Sequence, residues 1–173
     1  MTSTPRNIVL VGLMGAGKTS VGKRLARRLG LPFVDADDEI VKAAGCSIAE
    51  IFKKFGEPAF REGERRVIAR VLDGGPLVLA TGGGAFMDPE TRDTIADSGI
   101  SVWLDADLET LYQRTRRRNV RPLLQNEDPK GTLERLMAQR NPVYATADIT
   151  VPTANERPDA TVERIVQALE AVQ

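Results

Sequence analysis

Histidine is absent from the 173-residue chain. Ser-His and Cys-His nucleophile pairs and histidine-ligated metals are therefore excluded. A group that takes a proton near neutral pH has to be a carboxylate, a perturbed lysine or water. Cys46 is the single cysteine, so no internal disulfide can form and a reducing compartment fits. With no histidine to activate it, Cys46 reads as a small residue near a helix end. No apolar run approaches ~18 residues, the length that spans a bilayer. The start, MTSTPRNIVLVG, lacks the long apolar core of a signal peptide. A soluble, cytoplasmic protein is expected. Net charge is missing too: 24 Lys and Arg balance 24 Asp and Glu, so no overall field advertises nucleic acid or an anionic membrane. The length suits one domain over residues 1–173, which buries roughly 70% of its unfolded surface without a disulfide or metal staple.

What is present is alternation. Short β-rich runs interleave with amphipathic helical stretches, the pattern of an α/β fold with a parallel sheet. Strands are expected at Ile8–Val11, Phe33–Asp35, Leu77–Ala80, Ile100–Leu104 and Asp148–Val151. Helices are expected at Lys18–Leu29, ended by Gly30, and from the capping box Ser47-x-x-Glu50 to about Phe55. A longer one should run over about Pro58–Leu72, with Phe60, Val67, Ile68 and Val71 inward. Asp88-Pro89 should open another. Further helices are expected over about Asp107–Arg117, Thr132–Arg140 and Ala160–Val172.

Gly12-x4-Gly17-Lys18-Thr19 matches the P-loop pattern in full, with an apolar strand before it and a helix after it. Glycines let backbone N–H groups turn inward around phosphate oxygens, and the helix N-terminus adds partial positive charge. Lys18 would reach the outer phosphates and the Thr19 hydroxyl would ligate Mg²⁺. A nucleoside triphosphate with magnesium is the expected ligand. The Asn-Lys-x-Asp guanine reader of GTPases does not occur. The acid that completes the metal site should end an apolar strand, and both Asp35 and Asp105 fit that description.

The stretch VDADDEI, residues 34–40, packs four acids close to this anion site. In an extended backbone Asp35 and Asp37 share a face and Asp38 points away. Asp38 and Glu39 read as the start of the next helix. RTRRRNVR, residues 114–121, holds five arginines in eight positions. Arg114 and Arg116–Arg118 read as a solvated helix face, and the lack of interleaved aromatics argues against nucleic acid. Arg121, in RPLL, sits at the edge of a plausible flap that could bring a guanidinium to the transferring phosphoryl group. Arg61 and Arg140 read either as ordinary salt-bridging residues or as a fork for an acceptor's carboxylate or phosphate. The triplet Gly82-Gly83-Gly84 would let a ligand approach bare backbone.

GLMGAGKT, Asp35-Ala36-Asp37, Phe60-Arg61 with Glu64, the glycine triplet, VRPLL and QRNPVY, in that order over nearly the whole chain, resemble shikimate kinase. The resemblance implies the P-loop NTPase fold of the nucleoside monophosphate kinase type: a five-stranded parallel sheet flanked by helices, a substrate-binding helical segment at about 36–64 and a mobile lid at about 115–130. It implies transfer of the γ-phosphoryl group of ATP to the 3-hydroxyl of shikimate, on the route to chorismate and the aromatic amino acids, by a monomer. Met14, Gly15, Ala16, Gly17, Lys18 and Thr19 would cradle ATP. Thr19 and, through water, Asp35 would hold Mg²⁺, which leaves Asp105 structural. Asp37 would hydrogen-bond the shikimate hydroxyls. Arg61 and Arg140, with the Gly82 and Gly83 backbone, would take its carboxylate, and Arg121 would contact the transferring phosphate. The chain departs from the family at TANERP, where Glu156 and Arg157 stand in place of an arginine or glutamine by the adenine. A gluconate or nucleoside-monophosphate kinase of the same fold, and a non-catalytic ATP-sensing module, are the alternatives.

Overall fold

The computed structural model describes residues 6–118 and 128–172. Strand β1 (Asn7–Val11) is buried throughout, as its apolar run requires between two covered faces. It begins one residue earlier than the apolar pattern suggests. Asn7 is buried but fully used: its amide nitrogen donates to the carbonyls of Leu72 (2.9 Å) and Ser98 (3.0 Å), and its oxygen accepts from Leu77 N (3.0 Å). β1 pairs in parallel with β3 (Val78–Ala80) on one side and β4 (Gly99–Ala106) on the other. β2 (Phe33–Asp35) and β5 (Ile149–Thr153) complete a five-stranded sheet of order β2-β3-β1-β4-β5. Because β1 is central and the chain leaves it toward one edge and later returns to the other, a crevice opens at the carboxyl ends of β1 and β3. The site is assembled there.

Helix α1 (Lys18–Leu29) runs between Gly17 and Gly30, both in the left-handed region. Helix α2 (Ala36–Ala44) starts at Ala36, earlier than expected, because Asp35 caps it: the carboxylate accepts from Asp37 N and Asp38 N. Asp37 therefore stands in the first turn of a helix and not in an extended strand. Helix α3 (Ile48–Asp73) is two successive helices kinked at Gly56 (φ 83°) ahead of Pro58, where the sequence places the junction. After β3 and the glycine triplet, a 3₁₀ turn (Ala85–Met87) leads to α4 (Pro89–Ser98), capped by Asp88. α5 (Leu108–Arg118) follows β4. α6 (Pro129–Tyr144) extends beyond the expected Thr132–Arg140 at both ends. Its start is set by the Asp128 cap and by Pro129 in the first turn. Its end runs through Pro142, which lacks the N–H of a helical hydrogen bond without ending the helix. α7 (Pro158–Ala171) closes the chain across α1.

The main core surrounds the sheet and includes Leu10, Leu79, Leu104, Ile68 and Tyr144. A small second cluster, Ile40, Ile51, Phe60 and Val67, holds α2 against α3. Cys46 is a half-buried free thiol on its edge. Among the described residues no helix is long and apolar enough to cross a membrane. The stretch 119–127, with Arg121 and most of the expected lid, lies outside the described residues.

Candidate active site

A cleft of about 340 Å³ lies over the carboxyl ends of β1, β2 and β3, lined by the glycine loop on one wall and by Asp35, Asp37, Gly82 and Gly83 on the other. The loop leaves β1 through Gly12, Gly15 and Gly17, all at positive φ, a backbone that side chains other than glycine rarely adopt. It feeds directly into α1, whose first N–H groups open onto the cleft. Lys18 is almost completely buried, and its ammonium donates to the carbonyls of Gly12 and Leu13 (3.1 Å for the latter). The Thr19 hydroxyl donates to Asp35 Oδ2 at 3.0 Å, while Asp35 Oδ1 caps α2. Of the two candidate strand-end acids it is therefore Asp35 that meets Thr19. Asp105 lies elsewhere, beside Asp107 and Arg164, where burial raises its pKa.

The wall opposite the loop is built from side chains. Asp37 and Glu64 flank Gly82: a Cβ there would lie 3.0 Å from Asp37 Oδ1 and 3.4 Å from Glu64 Oε2. A Cβ on Gly83 would lie 3.3 Å from Arg140 Nη1, and one on Gly84 would run into the Arg61 guanidinium. Each glycine of the triplet thus makes room for a different charged neighbour. Arg61 donates to Glu64 at 2.9 Å and its guanidinium lies 5.1 Å from the centre of the Phe60 ring. Glu64 is 2% exposed. Burial pushes its carboxyl up, against the lowering pull of Arg61. Arg140 Nη1 is buried with no hydrogen-bond partner among the described residues. A buried cationic donor of this kind calls for an acceptor, and an incoming anion is one.

Three contributors escaped the sequence reading. Arg114 does not belong to a solvated face: it donates to the carbonyls of Gly15 (3.2 Å) and Ala16 (3.0 Å) in the glycine loop and of Ala154 after β5. Arg116 is exposed, as expected. Glu64, quoted only as part of a motif, holds Arg61. Tyr144 is buried beneath the triplet and donates to the Gly83 carbonyl. At the far end of the cleft Glu156 lines the wall and Arg157 does not. Arg164 bonds the Glu156 carboxylate and lowers its pKa.

A family model for shikimate kinase matches residues 14–170. The chain belongs to the shikimate kinase family. The shikimate kinase of Paramagnetospirillum magneticum is 61% identical over 164 residues, 95% of this chain and 84% of that one. That of Bradyrhizobium diazoefficiens is 57% identical over 166 residues, 96% of this chain and 80% of its own. Among solved structures, shikimate kinase from Acinetobacter baumannii in complex with shikimate superposes with a TM-score of 0.94 at 41% identity, covering 98% of this chain and 96% of that one. A gluconokinase from Sinorhizobium meliloti, at TM-score 0.63 and 18% identity, shares the fold. This member of the shikimate kinase family is an ATP-dependent kinase with the expected parallel α/β architecture.

Proposed function

We propose that the protein transfers the γ-phosphoryl group of ATP to the 3-hydroxyl of shikimate, giving shikimate 3-phosphate and ADP. The observation that carries the acceptor's identity is the pair of guanidiniums, Arg61 and Arg140, packed against Gly84 and Gly83 of a glycine triplet whose Gly82 and Gly83 line the same cleft as the phosphate loop. The unpartnered Nη1 of Arg140 suits a carboxylate, which accepts a guanidinium through two parallel hydrogen bonds. Asp37, across Gly82, suits a polyhydroxylated ring.

On this reading the loop from Met14 to Thr19 holds the triphosphate with backbone N–H groups, and Lys18 exchanges its present carbonyl partners for phosphate oxygens. The oxygen donors of Thr19 and Asp35, 3.0 Å apart, fit a hard cation. Mg²⁺ takes most of its ligands from phosphate and water, so two protein oxygens suffice to hold it. Thr19 and Asp35 would hold Mg²⁺, which when bound neutralises charge on the phosphates. Asp37 accepts the proton of the attacking hydroxyl or aligns it as the new O–P bond forms and the bond to the β-phosphate oxygen breaks. Arg61 and Arg140 fix the ring's position through its carboxylate, and Glu64 holds Arg61 in place. The segment 36–64 acts as the acceptor-binding segment. The stretch 115–130 acts as a lid over the nucleotide, with Arg121 supplying positive charge to the transferring group. The proposal includes action as a cytoplasmic monomer on ATP and shikimate.

ADP release measured with shikimate, gluconate and nucleoside monophosphates in turn tests the assignment. Stimulation by shikimate alone is expected. Well-folded protein that releases ADP with gluconate or a nucleotide and not with shikimate would overturn it.

A further inference from the structure

Tyr144 is completely buried, yet a phenylalanine would fill its place in the core as well. Its ring is stacked 5.9 Å from Trp103 and 6.4 Å from Phe86. Trp103 pairs with Val11, the last residue before the phosphate loop, and Phe86 follows the glycine triplet. What phenylalanine lacks is the hydroxyl, which donates to the Gly83 carbonyl. The other two carbonyls of the triplet are held by backbone: Gly82 O accepts from Ala85 N (3.2 Å) and Gly84 O from Met87 N (3.1 Å). With Tyr144 in place, all three carbonyls are engaged by donors within the protein. That leaves the N–H groups as the polar edge the triplet presents, on a backbone that glycine would otherwise leave free to rotate. Arg140 stands one helical turn before Tyr144 on α6, so both project from the same face toward Gly83. Burial pushes the phenol up to about 12, so at neutral pH it remains a donor.

We propose that Tyr144 is a positioning residue for the acceptor: its hydroxyl locks the Gly83 peptide and seats α6 so that the triplet's N–H groups and Arg140 meet the acceptor's carboxylate together. This rests on the carboxylate reading of the site given above. The residues that touch the acceptor's anion come from α3, α6 and the triplet, and the Tyr144 hydroxyl ties the last two together at Gly83.

The test is Tyr144→Phe, assayed with shikimate and ATP beside wild-type protein. The KM for shikimate should rise about tenfold, the scale for leaving a buried carbonyl unpaired, with kcat and the KM for ATP within about twofold. Replacing Tyr144 by para-aminophenylalanine, which restores an N–H donor at the same place, should bring the KM for shikimate back. An unchanged KM for shikimate, or an equal loss in both KM values and kcat, would make Tyr144 a core residue only and overturn the proposal. Should Tyr144→Phe prove too unstable to assay, 3,5-difluorotyrosine keeps the ring and changes the donor's strength. A shift in the KM for shikimate alone then supports the proposal, and no shift overturns it. Wild-type protein without shikimate-dependent ADP release would defeat the functional reading itself, a result separable from any effect of the variants.

Discussion

The phosphate wall of the cleft comes from eight consecutive residues, Gly12–Thr19, whereas the opposite wall presents Asp37 from α2 with Gly82 and Gly83 after β3, backed by Arg61 and Glu64 of α3 and Arg140 of α6. The first wall works through backbone N–H groups, which any sequence with the right glycines supplies. It rests on the central strand and the main core. The second works through charged side chains that must be brought together by tertiary packing, and its α2–α3 part leans on a cluster of four apolar residues. A backbone cradle serves every nucleotide kinase alike. On the proposed reading the side-chain wall chooses the acceptor, and its cost is electrostatic: burial pushes the Glu64 carboxyl up against the lowering pull of Arg61.

Variants that load on one wall and not the other test that division. The largest effect is expected from Asp37→Asn, which should lower kcat by at least ~10²-fold while nucleotide binding, measured by calorimetry, stays as it was. A near-normal kcat would remove Asp37 from the chemistry. Next comes Arg140→Lys, which keeps the charge but not the planar fork; it should raise the KM for shikimate roughly 10- to 100-fold with little change in the KM for ATP. Arg114→Gln loads the other wall. Loss of its bonds to Gly15, Ala16 and Ala154 should raise the KM for ATP about fivefold and leave that for shikimate unchanged. If instead both KM values rise together, the two walls are not separable in this way. The smallest effect touches stability alone. Tyr144 keeps its proton up to about 12 when folded, against 10.0 for a free phenol. Its stabilisation, roughly 3 kcal/mol, is therefore complete below the unfolded pKa and is lost as pH rises toward the folded one. Denaturant midpoints across that range should fall in wild type, and Tyr144→Phe should lack this part of the slope.

The same division explains how much could be read from the sequence. The phosphate loop is contiguous, so its spacing alone carries it, and the strand–loop–helix context came out with the correct ends for α1 and β2. Arg61, Arg140 and the glycine triplet were legible as anion-binding types, but nothing local says that one glycine clears Arg61 and another Arg140. Arg114 was misread because helical periodicity locates a side chain on its own helix and is silent about the loop across from it. Tyr144 lay beyond the expected end of α6, where Asn-Pro suggests a stop and a buried hydroxyl overrides it. Asp35 and Asp37 were correctly placed in one cleft for the wrong reason. Helix capping, and not strand alternation, brings them together.

Asp35 ends β2 with one oxygen committed to the first turn of α2 and the other to Thr19 at the phosphate loop. Anyone redesigning this protein thus meets a shared control. On the proposed reading, a change at position 35 meant to alter which cation is accepted would also loosen the helix that aims Asp37, so ion preference and acceptor alignment could not be tuned one at a time. A compensating cap, engineered to grip α2 independently, would have to be installed first.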